Sequence, residues 1–112
     1  MNQVCYGERE QVYRDALKVY GQNMQEIVAI EELSEVTKEV CKMKRGEGSV
    51  GRLAEEIADA TIVLEQLRLI YGVNDEVCAF MDQKIRRLEK NIERDCGGAG
   101  VLLFRENKNE GA

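Results

Sequence analysis

The sequence predicts an all-α protein. Proline is absent, apolar residues return at helical rather than alternating spacing, and ten glycines sit mostly where those periodic stretches stop. A chain of 112 residues suits one domain with a modest core. We expect a four-helix domain over residues 1–95 and a Gly-rich tail, flexible or docking, over 96–112.

The first helix spans Glu8 to Tyr20, where Val12, Ala16, Val19 and Tyr20 return to one side before Gly21 relaxes the pattern. The second runs from Gln22 to about Arg45 with Met24, Ile27, Val28, Leu33, Val36 and Val40 as its apolar set. Lys42, Lys44 and Arg45 followed by Gly46 form its stop signal, because cations suit the last turn and glycine the residue beyond it. Gly46 to Gly51 is long enough to reverse the chain between antiparallel helices, and Ser49 or Gly51 starts the third. Arg52 to Tyr71 is apolar over most of its circumference, as expected of a helix buried between neighbours or at an oligomer interface; Gly72 ends it. Asn74 caps the fourth, to about Arg94, whose stripe of Val77, Met81, Ile85, Leu88 and Ile92 resembles a bundle seam. After Cys96, Gly97-Gly98-Ala99-Gly100 breaks the helix, and Val101-Leu102-Leu103-Phe104 forms a short apolar segment that docks on the body or on another subunit. This glycine cluster lacks the Gly-Lys-Ser/Thr ending of a phosphate loop.

A formal net charge of −5 argues against nucleic acid or an anionic membrane as the main partner, since both select clustered Lys and Arg. No run of about 18 uninterrupted apolar residues, the length a bilayer span needs, occurs in the sequence. Met1 to Glu10 has neither the basic start nor the apolar run of a signal peptide, so a cytoplasmic location is expected. Cys5, Cys41, Cys78 and Cys96 lie far apart, and with no histidine in the chain they cannot complete a zinc site; they are expected to be reduced thiols, mostly filling the core.

Two acidic clusters interrupt the apolar pattern: Glu31-Glu32-Leu33-Ser34-Glu35 on the second helix and Glu56-Ile57-Ala58-Asp59 on the third. At about 100° per residue, Glu32 and Glu35 fall roughly 60° apart, inside the arc of Met24, Val28, Val36 and Met43. Glu56 and Asp59 share a sector with Val63, Leu67 and Ile70. Both pairs are therefore expected to face protein. Ionised carboxylates crowded into a low-dielectric interior repel one another and lose hydration unless a cation compensates. An oxygen-only donor set favours Mg²⁺, with Mn²⁺ as the alternative, and open coordination positions leave room for a nucleotide. Glu39 and Glu89 are read instead as solvated helix charges. A ferritin-type di-iron site needs Glu-x-x-His, and a calcium hand needs an Asp-rich loop; neither is present.

The pattern E-E-x-x-E (Glu31, Glu32, Glu35), then some twenty residues later E-x-x-D (Glu56, Asp59), resembles that of the MazG-like, all-α nucleoside triphosphate pyrophosphohydrolases. The likeness covers most of residues 20 to 95, including Gly21-Gln22-Asn23-Met24-Gln25 before the first cluster and a basic fourth helix. It implies that Glu32, Glu35, Glu56 and Asp59 are the metal ligands. Glu31 then either binds a second metal or orients the attacking water, or else is an exposed helix charge. Lys84 and Arg87 would reach phosphate oxygens, Lys84 also stabilising the departing pyrophosphate, unless Arg87 is a surface charge beside Asp82 and Glu89. Gln25 and Asn91 would contact base or ribose. The activity implied is Mg-dependent release of nucleoside monophosphate and pyrophosphate from a triphosphate, by a homodimer or homotetramer. A phosphoribosyl or otherwise modified nucleotide substrate, and a noncatalytic helical interaction protein, are the alternatives.

Overall fold

The structure, a computed structural model, describes residues 6–97. They form four helices in the expected order: α1 (Arg9–Tyr20), α2 (Gln22–Lys44), α3 (Val50–Tyr71) and α4 (Asn74–Cys96), with no strand among the described residues. The chain divides into two compact units, one ending at Asn74 and the other beginning at Asp75. Cys5 and the tail beyond residue 97, with its Val101–Phe104 segment, lie outside the described residues. Among the described residues, no helix is long and apolar enough to cross a membrane.

The helix ends follow local chemistry. Gly46, at φ 75°, closes α2: its N–H donates to Met43 O at 3.0 Å and the Glu47 N–H to Lys42 O at 2.8 Å, so carbonyls of the last turn are satisfied by a left-handed glycine turn. Ser49 is the N-cap of α3, its Oγ accepting from Arg52 N at 3.1 Å.

The core of the first unit is the antiparallel α2–α3 pair. Gln66 Nε2 donates to Gln25 Oε1 at 2.8 Å near one end, and at the other Ser49 N donates to Glu39 Oε2 at 3.3 Å. Between these polar contacts, Ala29 on α2 and Ala60 and Val63 on α3 are buried; two of the three are alanines, which let the backbones approach closely. Gln25, Glu32 and Glu39 recur every seven residues and so present one face of α2 to α3. Glu39 is thus not the solvated charge expected. It is 3% exposed and caps the start of α3, because a seven-residue step from Glu32 returns it to the same face.

α1 packs through a different face from the one its aliphatic residues suggest. Val12, Val19 and Tyr20 are exposed, while Tyr13 is buried and meets the buried Tyr6 edge-to-face at 5.7 Å. Tyr13 OH donates to Glu65 Oε1 at 2.5 Å, and the Arg9 guanidinium donates to both Glu65 oxygens at 3.1 and 3.0 Å. Tyr6 OH and Arg68 Nη1 both donate to Asn74 Oδ1, at 2.9 and 3.1 Å. Tyrosine hydroxyls that find acceptors, Glu65 on α3 and Asn74 just beyond it, outcompete valines with nothing to cover them. Met24, Ile27 and Val40 of α2, and Ile57, Ile62 and Leu64 of α3, are likewise exposed in the single chain. Cys41, Cys78 and Cys96 are reduced thiols, and all three are exposed, so they do not fill the core.

Candidate metal centre

α2 and α3 bring one carboxylate oxygen from each of Glu32, Glu56 and Asp59 within 4.8 Å of one another. Glu56 and Asp59 stand three residues apart on one side of α3, so a single turn presents both. Glu32 reaches them across the seam midway between the Gln25–Gln66 contact and the Glu39 cap. All three are half-buried.

Half burial and mutual repulsion act in the same direction. Glu32 holds its proton more tightly than an ordinary glutamate, first because it is partly desolvated and then because Asp59, Glu56, Glu31 and Glu35 add negative charge around it. Glu56 is raised likewise by desolvation and by Glu35, Asp59 and Glu55, with Arg52 opposing. Among the described residues, no lysine or arginine forms an ion pair with Glu32, Glu56 or Asp59. Three like-charged oxygens held together by the backbone, with no cationic side chain in an ion pair with them among the described residues, fit a hard divalent cation, which takes oxygen donors and relieves both penalties at once.

Of the four expected ligands, three converge. Glu35 is exposed, one turn beyond Glu32, although its charge is still felt by Glu32 and Glu56. The expectation that both acidic pairs face inward therefore holds for the α3 pair and for Glu32, and not for Glu35. The i, i+3 step carries Glu35 off the Gln25–Glu32–Glu39 face. Glu31 is exposed beside the cluster. Gln25 is buried in the seam with its carbonyl engaged by Gln66. Lys84, Arg87 and Asn91 lie on α4, in the second unit, the first two exposed and Asn91 half-buried.

Two participants escaped the sequence reading. Glu39 had a legible signal, the seven-residue repeat through Gln25 and Glu32. Gln66 had a weaker one, standing seven residues after Asp59 on the facing helix. No protein-family model, curated protein or solved structure matches the chain, so the site rests on its own chemistry.

Proposed function

We propose that the chain is a Mg-dependent nucleoside triphosphate pyrophosphohydrolase of the MazG-like type, releasing a nucleoside monophosphate and pyrophosphate. The observation that carries this reading is the convergence of Glu32, Glu56 and Asp59 from two antiparallel helices, with no cationic side chain paired to them among the described residues. These three would hold the ion, with Glu35 able to join by a change of rotamer. The bound cation would supply charge neutralisation of the triphosphate and a lowered pKa for a coordinated water.

The chain's own groups supply positioning and charge. Glu31, exposed next to the cluster, is suited to orient the attacking water and accept its proton. Lys84 and Arg87 are assigned to phosphate oxygens, where a fixed cation stabilises the charge that grows on the leaving pyrophosphate. Gln25, whose amide nitrogen is left over by the Gln66 contact, and Asn91 are assigned to base or ribose.

Self-association belongs to the same reading. Among the described residues, only Tyr6, Tyr13, Ala29, Ala60 and Val63 form the buried apolar core, and no large side chain is fully enclosed. So thin a core, with large aliphatic residues exposed on every helix, supports a homodimer or homotetramer in which the four helices complete a bundle. The same exposed surface favours the second reading, a noncatalytic interaction protein.

Pyrophosphate release from a panel of canonical and modified triphosphates, with and without Mg²⁺, tests the proposal. Glu56→Gln and Asp59→Asn should each abolish release while leaving the helical circular dichroism intact. Turnover that persists in both variants, or no release from any nucleotide by the parent chain, would overturn it.

A further inference from the structure

We propose that α4 is the seam of a parallel homodimer, pairing with α4 of a second copy in register. This rests on the self-association part of the proposed function; it sets Lys84 against the partner helix and so leaves Arg87 as the cation assigned to phosphate. Met81, Ile85, Leu88 and Ile92 follow the alternating four- and three-residue steps of a heptad repeat, and Cys78 precedes them one step earlier at the same periodicity. Each of these side chains is exposed in the single chain; Ile85 and Leu88, at the centre of the stripe, are 62% and 54% exposed. No residue of α4 is buried.

Residue types and flanking charges select the occupant. The β-branched Ile85 and Ile92 hold the a positions and Leu88 a d position, the combination that favours two parallel strands. In that arrangement Lys84, at a g position, faces Glu89 of the partner helix at the following e position, and symmetry makes the attraction twice. An antiparallel pairing of the same apolar residues would instead set Asp82 against Glu89 of the other copy, again twice, and repel. The apolar residues allow both directions, and the charges permit only one. Asp95 occupies the next d position after Ile92 and ends the seam, so the contact covers little more than two heptads and sets the orientation of two copies whose other exposed apolar residues add area.

The test uses the full chain. Light scattering at micromolar concentration should give a dimer. In a Cys5→Ser, Cys41→Ser background, mild oxidation with diamide should remove two electrons and two protons from paired thiols and link Cys78 to Cys78, since an in-register seam sets these a positions side by side. Leu88→Ala, which keeps helix propensity, should weaken the dimer roughly a hundredfold. Lys84→Glu should weaken it about tenfold, and adding Glu89→Lys should restore it. A Cys78–Cys96 link would show the antiparallel arrangement and overturn the proposal. So would a dimer indifferent to Leu88→Ala and to the charge exchange, which would leave the homo-oligomer standing on another surface. A monomer whose α4 amides are protected from hydrogen exchange would mean that residues 101–104 of the same chain cover the stripe; it would overturn both this seam and the homo-oligomer, and leave the pyrophosphate assay unaffected.

Discussion

Removing one oxygen from Tyr13 tests how α1 is held. Tyr13 is buried and its hydroxyl donates to the Glu65 carboxylate at 2.5 Å; Glu65 itself keeps only 17% of its side chain exposed. Tyr13→Phe preserves the ring and its edge-to-face contact with Tyr6, and deletes a single hydrogen bond to an ionised acceptor. Such bonds contribute about 1.5–3 kcal/mol. Because Arg9 still donates to both Glu65 oxygens and is largely solvated, the abandoned carboxylate is not stranded, and the loss should lie near the low end, about 2 kcal/mol. For a domain of this size that is a fall in Tm of about 8–16 °C. Thermal melts followed by circular dichroism, in a cycle with Glu65→Gln, measure it. The two changes should be sub-additive, since Glu65→Gln leaves Tyr13 only a neutral acceptor and so removes the charge-assisted part of the bond that Tyr13→Phe deletes. A Tyr13→Phe melt within about 2 °C of the parent, or strict additivity, would show that the Tyr13 hydroxyl does not help to hold α1.

A Cβ at Gly48 would stand 2.9 Å from Glu39 Oε2 and 2.9 Å from Met43 Sδ; Met43 can swing aside, but the buried carboxylate is tied to Ser49 N, so Gly48→Ala should cost about 1–3 kcal/mol in denaturant titration. An unchanged midpoint would show that the cap is loose. Asp59→Asn should raise the melting temperature in chelator by relieving repulsion, and should remove the rise that Mg²⁺ gives the parent chain; a parent indifferent to Mg²⁺ would argue against the metal centre. The pH responses of two glutamates should have opposite signs. Glu32 is raised, so the folded state holds that proton more tightly than the unfolded chain, and its contribution is complete below the ordinary glutamate range and lost as pH climbs above it; Glu32→Gln should therefore gain on the parent as pH rises through and above the ordinary glutamate range. For Glu65, burial tends to raise the pKa, but hydrogen bonds from Arg9 and Tyr13 and the charges of Arg9 and Arg68 outweigh it and leave it lowered, so Glu65→Gln should be the less stable protein at neutral pH and draw level as acid protonates the parent. Parallel curves for either variant would contradict the assignment.

The helices were legible because their punctuation is local. Gly21, Gly46, Gly72, Ser49 and the cationic end of α2 act within one turn of themselves, and each boundary falls within about two residues of its signal. The Glu32, Glu56 and Asp59 trio was legible for a related reason: apolar periodicity fixes the inward face of each helix, and carboxylates on that face must meet. What could not be read was which of several apolar arcs a neighbour would cover. α1 turned on Tyr6 and Tyr13 because Glu65 and Asn74 offered acceptors 52 and 68 residues away, a pairing no local pattern encodes. Glu39 reads as a solvated charge in a chain that is 33% charged, until the seven-residue step from Gln25 through Glu32 is followed.

The short link between Lys44 and Val50 contributes no side chain to the acidic trio, and yet it governs whether the trio exists. One residue inserted between Gly46 and Ser49 would have to be absorbed either as a loop bulge or as a rotation of α3 by about 100°. In the second case Glu56 and Asp59 would swing away from Glu32 while both helices stayed intact. Length variation at that corner, usually the most tolerated kind of change in a protein, is here a switch for the chemistry of a place some 10–15 Å along the helix, two turns or more away.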